Sequence, residues 1–258
     1  MTWRHLRIAI LLAILVFVAL GTWLDRVYTT DWRTPLGVAL YPVPGDDSAT
    51  VQSFVAALEN ADFAAVEAFF AREGARYGIP ATEPVRLWLS GTPASRPPLL
   101  DPGANLLEGM LYSLRLRLHA WRALSGQPGP TPHVRMYLLL HDPERSPVLP
   151  HSLGLERGLV GVVHLFADPG MRGSNQVVLA HEILHTLGAT DKYSLDDGQP
   201  IHPDGYAEPG RDPLHPQTYA ELMGGRIPLS ATEAVIPNSL TSVVVGPRTA
   251  QEIRWLRE

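Results

Sequence analysis

Residues 177–193, VVLAHEILHTLGATDKY, constrain the fold more than any other part of the chain. Apolar residues recur there at helical spacing, and His181 and His185 stand four apart with Glu182 between them. Side chains four apart lie one turn apart on the same face of a helix, so the two imidazoles can bind one ion. The sequence therefore predicts a largely buried helix that carries a metal site, with Glu182 at the edge of the same face.

A third ligand is predicted at Asp191, six residues after His185. A straight helix would carry Asp191 away from the ion, so the helix must end and the chain must turn back. Gly188 allows this turn because glycine adopts positive φ at helix ends. A more distant carboxylate, Glu221, is the alternative ligand, although no comparable spacing explains it. Two nitrogens, one carboxylate oxygen and an open position favour zinc, while manganese, cobalt and iron stay open.

This pattern resembles the zinc-binding motif of metzincin-like metallopeptidases, HExxHxxGxx followed by histidine or aspartate. Five residues fill its positions in order, namely His181, Glu182, His185, Gly188 and Asp191. The stretch HTLGATDKY is also similar to one in a group of bacterial membrane-anchored peptidase-like proteins. The resemblance implies a zincin-like catalytic domain, one Zn²⁺ ion and hydrolysis of peptide bonds. It also implies that Met223 occupies the methionine turn that packs under the metal in metzincins.

The chemistry expected at such a site is attack by water that the metal activates, with Glu182 as general base. A further donor is needed for the developing oxyanion, and Tyr193 and Tyr219 are favoured among the polar residues downstream of the motif. Two other functions stay open. The chain could be a membrane-anchored zinc-containing binding protein without catalysis, with His202 or His215 as a fourth ligand, or an amidase that acts on non-peptide substrates in the cell envelope.

The N-terminus carries 17 uncharged residues, 8–24, with Arg4 and Arg7 before them. This length and charge pattern predict a membrane anchor over residues 1–26, followed by a domain over residues 33–258 outside the cytoplasm, either periplasmic or extracellular. A cleaved signal peptide is the alternative, in which case the domain would be secreted.

The remaining sequence predicts an α+β fold with a mixed, mostly parallel sheet packed on the histidine helix. Strands are predicted at residues 35–43, 84–91, 134–142 and 158–168. Helices are predicted at residues 49–78 with a break near Asn60, and at 105–124 and 174–187. The resemblance to metzincins implies a further, C-terminal helix over residues 249–258.

Composition limits the possible partners and chemistries. The chain contains no cysteine, which excludes disulfides, thiolate metal ligands and cysteine nucleophiles. Its net charge is −5 and it has no run of basic residues, so nucleic acid is not an expected partner. The expected partners are a peptide or protein substrate and, through the N-terminal segment, a membrane. Oligomeric state cannot be inferred.

Overall fold

The computed structural model describes residues 30–101, 103–124, 129–156 and 159–256, with six separate residues before position 17. The predicted anchor over residues 1–26 therefore lies almost wholly outside the described residues. Within the described part, no helix combines the length and the apolar character needed to cross a membrane.

A five-stranded sheet forms the centre of the molecule, in the order β2-β1-β3-β5-β4. Its members are β1 (Leu36–Pro44), β2 (Val85–Leu89), β3 (Val134–His141), β4 (Leu153–Leu155) and β5 (Val160–Phe166). Strands β1, β2, β3 and β5 run parallel, and β4 pairs antiparallel with β5. The inner strands are apolar and almost entirely buried, as expected for parallel strands covered on both faces.

Helices cover both faces of this sheet. On one face lie α1 (Ala49–Ala57), α2 (Ala64–Tyr77) and α4 (Arg172–Thr186), whose apolar side chains share one core with the sheet. On the other face α3 (Leu106–Leu124) packs through a smaller core. A short helix, α5 (Pro247–Glu252), follows near the end of the chain. The sheet thus separates α3 from the histidine helix α4.

The predicted α+β class and the mixed, mostly parallel sheet are confirmed. The predicted break in the first helical segment is also found, because a 3₁₀ turn at Asn60–Phe63 separates α1 from α2. The predicted last helix is shorter than expected and ends at Glu252. Strand β4 was not predicted, because three residues carry too little periodic pattern to be recognised.

The segment between α4 and α5 is held by short pairings. Strand β6 (Ala220–Glu221) runs parallel to β9 (Val243–Val244), and β7 (Ile227–Pro228) pairs antiparallel with β8 (Ala234–Val235). The 3₁₀ turn Leu222–Gly224 lies between β6 and β7 and packs against α4. These pairings hold the residues downstream of the histidine helix beneath it.

A buried pair of histidines lies on the α3 side of the sheet. His141 Nε2 and His164 Nδ1 are 2.9 Å apart, and the two rings stack with centroids separated by 5.1 Å. Burial lowers the pKa of His141. Burial, together with the charge on His141, lowers the pKa of His164 to about 4. Both rings are therefore neutral at pH 7, with one donating a hydrogen bond to the other.

This pair predicts a loss of stability in mild acid. The unfolded chain binds protons at these histidines below their ordinary pKa of 6.5, whereas folded His164 does so only near 4. The free energy of unfolding should therefore decrease by roughly 1–2 kcal/mol between pH 7 and pH 5 through this residue. Chemical denaturation at both pH values measures the decrease. His164→Gln should make it smaller, and the matched change in exposed His151 should not. An unchanged decrease in His164→Gln would contradict this assignment.

Candidate metal centre

Helix α4 brings the two predicted histidines together. Leu179, Ile183 and Leu184 are fully buried and fix one side of the helix against the sheet. The imidazoles of His181 and His185 project from another side, with their Nε2 atoms 3.0 Å apart. Their spacing on the helix thus brings the two Nε2 atoms together.

The chain turns back after this helix in the manner predicted. Gly188 has a φ of 95°, a conformation that side-chain-bearing residues rarely adopt. The backbone N–H of Ala189 donates to the carbonyl of Leu184 at 3.1 Å and closes the helix end. The chain then returns Asp191 to the histidines, with Oδ1 lying 3.1 Å from the Nε2 of each ring.

Hydrogen bonds at the other ring nitrogens determine which atoms are free. His181 Nδ1 lies 3.0 Å from the carbonyl oxygen of Leu222, and His185 Nδ1 lies 2.9 Å from that of Ala189. A carbonyl oxygen only accepts, so each Nδ1 carries a proton and donates it. Each neutral ring then presents a lone pair at Nε2. Two nitrogen lone pairs and a carboxylate oxygen meet within 3.1 Å, an arrangement that requires a proton or a metal cation between them.

The pKa shifts of His181 and Asp191 also indicate that the site favours positive charge. Burial alone would lower the pKa of His181, but the hydrogen bond to Asp191 and the charge of Glu182 outweigh burial and raise it. Burial alone would raise the pKa of Asp191, but its two histidine partners hold it well below the usual range. The surroundings thus favour a cation at the point where the three atoms converge.

Glu182 is the second carboxylate at the site. Together with His181 and His185 it forms a group that could hold a metal ion, with ligand atoms within 4.8 Å of one another. Its side chain is buried, and Oε2 has no hydrogen-bond partner among the described residues. Burial raises the pKa of Glu182. Asp191 Oδ1 lies 3.1 Å from both Nε2 atoms, and with Asp191 as the third ligand Glu182 would be free beside the ion.

Glu221, the alternative third ligand, has a different role in the structure. Its carboxylate is fully buried and accepts hydrogen bonds from the N–H groups of Gly224 and Gly246 at 2.8 and 2.9 Å. The hydroxyl of Thr249 donates a third bond at 2.7 Å. Glu221 therefore holds the turn that presents the Leu222 carbonyl to His181, rather than contacting the histidine pair.

Met223 lies in that same turn, directly after the carbonyl that His181 contacts. Its side chain is fully buried in the core that includes Ile183 and Leu184. Its own carbonyl accepts the N–H of Lys192 at 2.9 Å. The turn thus joins α4 to the loop that carries Asp191.

Glu252 and Lys192 hold the Asp191 loop, and the sequence predicted no role for either of them. Glu252, on α5, accepts the N–H and the hydroxyl of Thr190 at 3.0 and 2.9 Å and pairs with Lys192 at 2.8 Å. These partners flank Asp191 on both sides. Lys192 is the only lysine in the chain, and its burial beside an acidic partner is seen only in the structure.

The structure distinguishes the two predicted oxyanion donors, Tyr193 and Tyr219. Tyr193 lies beside the site, with its ring centroid 6.4 Å from that of His181. Burial and the charges of Asp191 and Glu182 raise the pKa of Tyr193 to about 12. Tyr219 is 40% exposed, and among the described residues no hydrogen bond or ring contact joins it to the histidine pair.

The two downstream histidines make contacts elsewhere. His202 Nε2 lies 3.1 Å from the carbonyl oxygen of Pro209, and His215 Nε2 lies 3.1 Å from the hydroxyl of Tyr206. Neither contact involves the histidine pair on α4. These contacts do not support the alternative in which one of them supplies a fourth ligand.

Comparison of the chain with protein-family models gives no match, and comparison with curated protein sequences gives none either. The geometry and the donor chemistry of the site are therefore what indicate its function.

The geometry predicts opposite outcomes for the two candidate carboxylate ligands. Asp191→Ala removes a converging oxygen and should weaken metal binding by more than the ~10–100-fold typical of outer partners. Glu221→Gln should keep the metal and lower the free energy of unfolding by about 1–3 kcal/mol, because the Gly224 N–H loses its acceptor. Metal titration against a chelator and thermal unfolding measure the two effects. Metal loss in Glu221→Gln with retention in Asp191→Ala would reverse the ligand assignment.

Proposed function

We propose that the protein is a zinc-dependent peptidase with a zincin-like, metzincin-type domain, which hydrolyses peptide bonds with Glu182 as general base. The observation that carries this proposal is the convergence of His181 Nε2, His185 Nε2 and Asp191 Oδ1 within 3.1 Å of one another. No arrangement of their own protons satisfies all three atoms at neutral charge.

The donor set supports zinc. Two imidazole nitrogens and one carboxylate oxygen are common zinc ligands, and a tetrahedral ion with bonds of about 2.0–2.1 Å places its ligands about 3.3 Å apart. The observed separations of 3.0–3.1 Å lie close to that value. Catalytic zinc sites use three protein ligands and keep a fourth position open. The engagement of His202 and His215 elsewhere favours such an open site over a closed structural one.

Glu182 has the properties of a general base. A zinc ion held by His181, His185 and Asp191 would lower the pKa of a water molecule and polarise the substrate carbonyl. Glu182 Oε2, buried and without a partner among the described residues, can accept the proton of that water and pass it to the leaving nitrogen.

Tyr193 is the favoured donor to the developing oxyanion. It lies beside His181, and its raised pKa keeps the hydroxyl protonated throughout the neutral range. A phenol that stays protonated can donate a hydrogen bond as negative charge develops on the carbonyl oxygen. Among the described residues Tyr219 makes no contact with the histidine pair, so it is the less favoured donor.

Strand β4 gives an extended peptide a place to bind. Strand β5 pairs with β3 on one side and β4 on the other, so it has no free edge for a peptide. Among the described strands, β4 pairs with β5 alone and so presents its other edge. A Cβ on Gly154 would approach the Glu182 carbonyl oxygen to 2.5 Å, so the absence of a side chain lets β4 lie against α4. A peptide added to this edge would run beside the histidines.

The membrane assignment is part of the same proposal. Residues 1–26 would anchor the chain and leave the peptidase domain outside the cytoplasm. The substrate would then be a peptide or protein of the periplasmic or extracellular space.

Replacing the general base tests the proposed reaction. Glu182→Gln should retain zinc and lose ~10²–10⁴-fold in peptide cleavage, because the amide cannot accept the proton. Mass spectrometry of a broad peptide mixture measures cleavage, and metal analysis confirms that the ion stays bound. Wild-type protein stripped with a chelator and then reloaded with zinc is the control. Zinc-loaded wild-type protein that cleaves nothing would favour a binding protein, and full activity in Glu182→Gln would exclude Glu182 as the base.

The two tyrosines provide a matched pair of variants. Tyr193→Phe should decrease kcat by about 10–100-fold with little change in KM, because the lost hydrogen bond forms mainly in the transition state. Tyr219→Phe should leave kcat unchanged. Steady-state kinetics on one cleaved peptide decides between them, and a larger effect in Tyr219→Phe would contradict the assignment of Tyr193.

A further inference from the structure

Helix α3 has two apolar faces, and the sheet covers only one of them. Tyr112, Leu116 and Ala120 are buried against β1, β3 and β5. On the opposite side, six large apolar residues are between 42% and 68% exposed, namely Leu107, Met110, Leu111, Leu114, Leu118 and Trp121. We call these six residues the α3 stripe.

The α3 stripe is a continuous surface rather than a scatter of residues. At about 100° per residue, its six side chains fall within an arc of about 100°, directly opposite Leu116. They extend over four turns, from near the start of α3 to near its end. Single exposed apolar residues are ordinary on a soluble surface, but a contiguous apolar surface of this length marks an interaction site.

Arginines flank the α3 stripe on both sides. Arg115 and Arg122 lie along one margin and Arg117 along the other, and all three are exposed. Among the described residues, no salt bridge involves any of them. Arginine side chains pack their aliphatic part along apolar surfaces and direct the guanidinium to polar groups. Phosphate is a favourable partner for a guanidinium placed in this way.

The route of the chain brings this face close to the predicted anchor. Only residues 25–29 separate the apolar segment 8–24 from Thr30, a distance of at most about 22 Å. Trp32 is already buried against Trp255, so the folded domain begins there. The domain therefore cannot move far from a bilayer that residues 8–24 enter.

The Trp121 end of the α3 stripe lies towards the sheet edge where the domain begins. Parallel strands start at one common edge, and β1 starts at Leu36. The end of α3 leads into β3 at that same edge, where the N–H of His133 donates to the carbonyl of Gly37 at 2.8 Å. The Trp121 end of α3 and the segment that follows the anchor thus approach the same side of the domain.

We propose that α3 lies flat on a phospholipid bilayer, with the α3 stripe in the boundary between headgroups and acyl chains and the three arginines against lipid phosphates. An apolar face bordered by cationic side chains is the pattern that binds membranes in this orientation. A bilayer therefore accounts for both the apolar and the cationic residues of this face.

The test uses the full chain reconstituted in vesicles of phosphatidylcholine and phosphatidylglycerol. Because the chain has no cysteine, Leu114→Cys provides one labelling position for a fluorophore in the centre of the α3 stripe. Ala68→Cys is the matched control, since it is an exposed position on α2, which packs on the opposite face of the sheet. Quenching by lipids brominated on their acyl chains reports lipid contact, and quenching by iodide reports contact with water.

At position 114, brominated lipids should quench severalfold more than at position 68, and iodide should quench severalfold less. Equal iodide quenching at both positions would mean that nothing covers the α3 stripe and would overturn the proposal. Protection at position 114 from both quenchers would overturn it too, because a second copy or residues 8–24 would then cover the face.

The arginines are tested in the same labelled protein. Replacing Arg115, Arg117 and Arg122 together with glutamine should reduce quenching by brominated lipids severalfold in these anionic vesicles. Undiminished quenching would overturn the role assigned to the three arginines.

Discussion

The rest of the structure depends on two backbone carbonyls that fix the histidine tautomers. The Leu222 and Ala189 carbonyls accept from the Nδ1 atoms of His181 and His185, which leaves both Nε2 lone pairs directed at the Asp191 oxygen. Without a cation the three atoms repel one another at 3.0–3.1 Å, so the fold holds an arrangement that is unfavourable until positive charge is supplied. Outer hydrogen bonds of this kind commonly orient metal ligands and raise their basicity.

The chain after α4 serves mainly to hold those carbonyls and Asp191. Glu221 closes the turn that contains Leu222 and bonds to Gly246 and Thr249 at the start of α5. From the same helix, Glu252 holds Thr190 and Lys192 on either side of Asp191. Helix α5 thus supports His181 through a turn and Asp191 through a loop. Precise sites require such support, because loop residues otherwise sample many positions.

The sequence predicted the parts of the molecule that local pattern determines. Helical periodicity and the four-residue spacing predicted α4 and the shared face of its histidines, and glycine chemistry predicted the turn at Gly188. The sequence could not predict β4, the carbonyls that accept hydrogen bonds from the two histidines, or the hydrogen bonds of Glu252. These features depend on pairings between residues far apart in the chain. For the same reason Tyr193 and Tyr219 were equivalent candidates in the sequence and differ only in tertiary contacts. The buried bonds of Glu221 likewise separate it from Asp191 only in three dimensions.

The sheet gives its two faces different surroundings. Both faces of α3 are apolar, and its sequence predicted only a helix, because periodicity cannot tell which apolar face the sheet covers. Burial of Tyr112 and Leu116 identifies the covered face and leaves the α3 stripe outside. Since α4 packs on the opposite face of the sheet, a bilayer beneath α3 would leave the histidines on the side turned away from lipid. A peptidase oriented in this way would meet its substrates in the aqueous space above the membrane rather than within it.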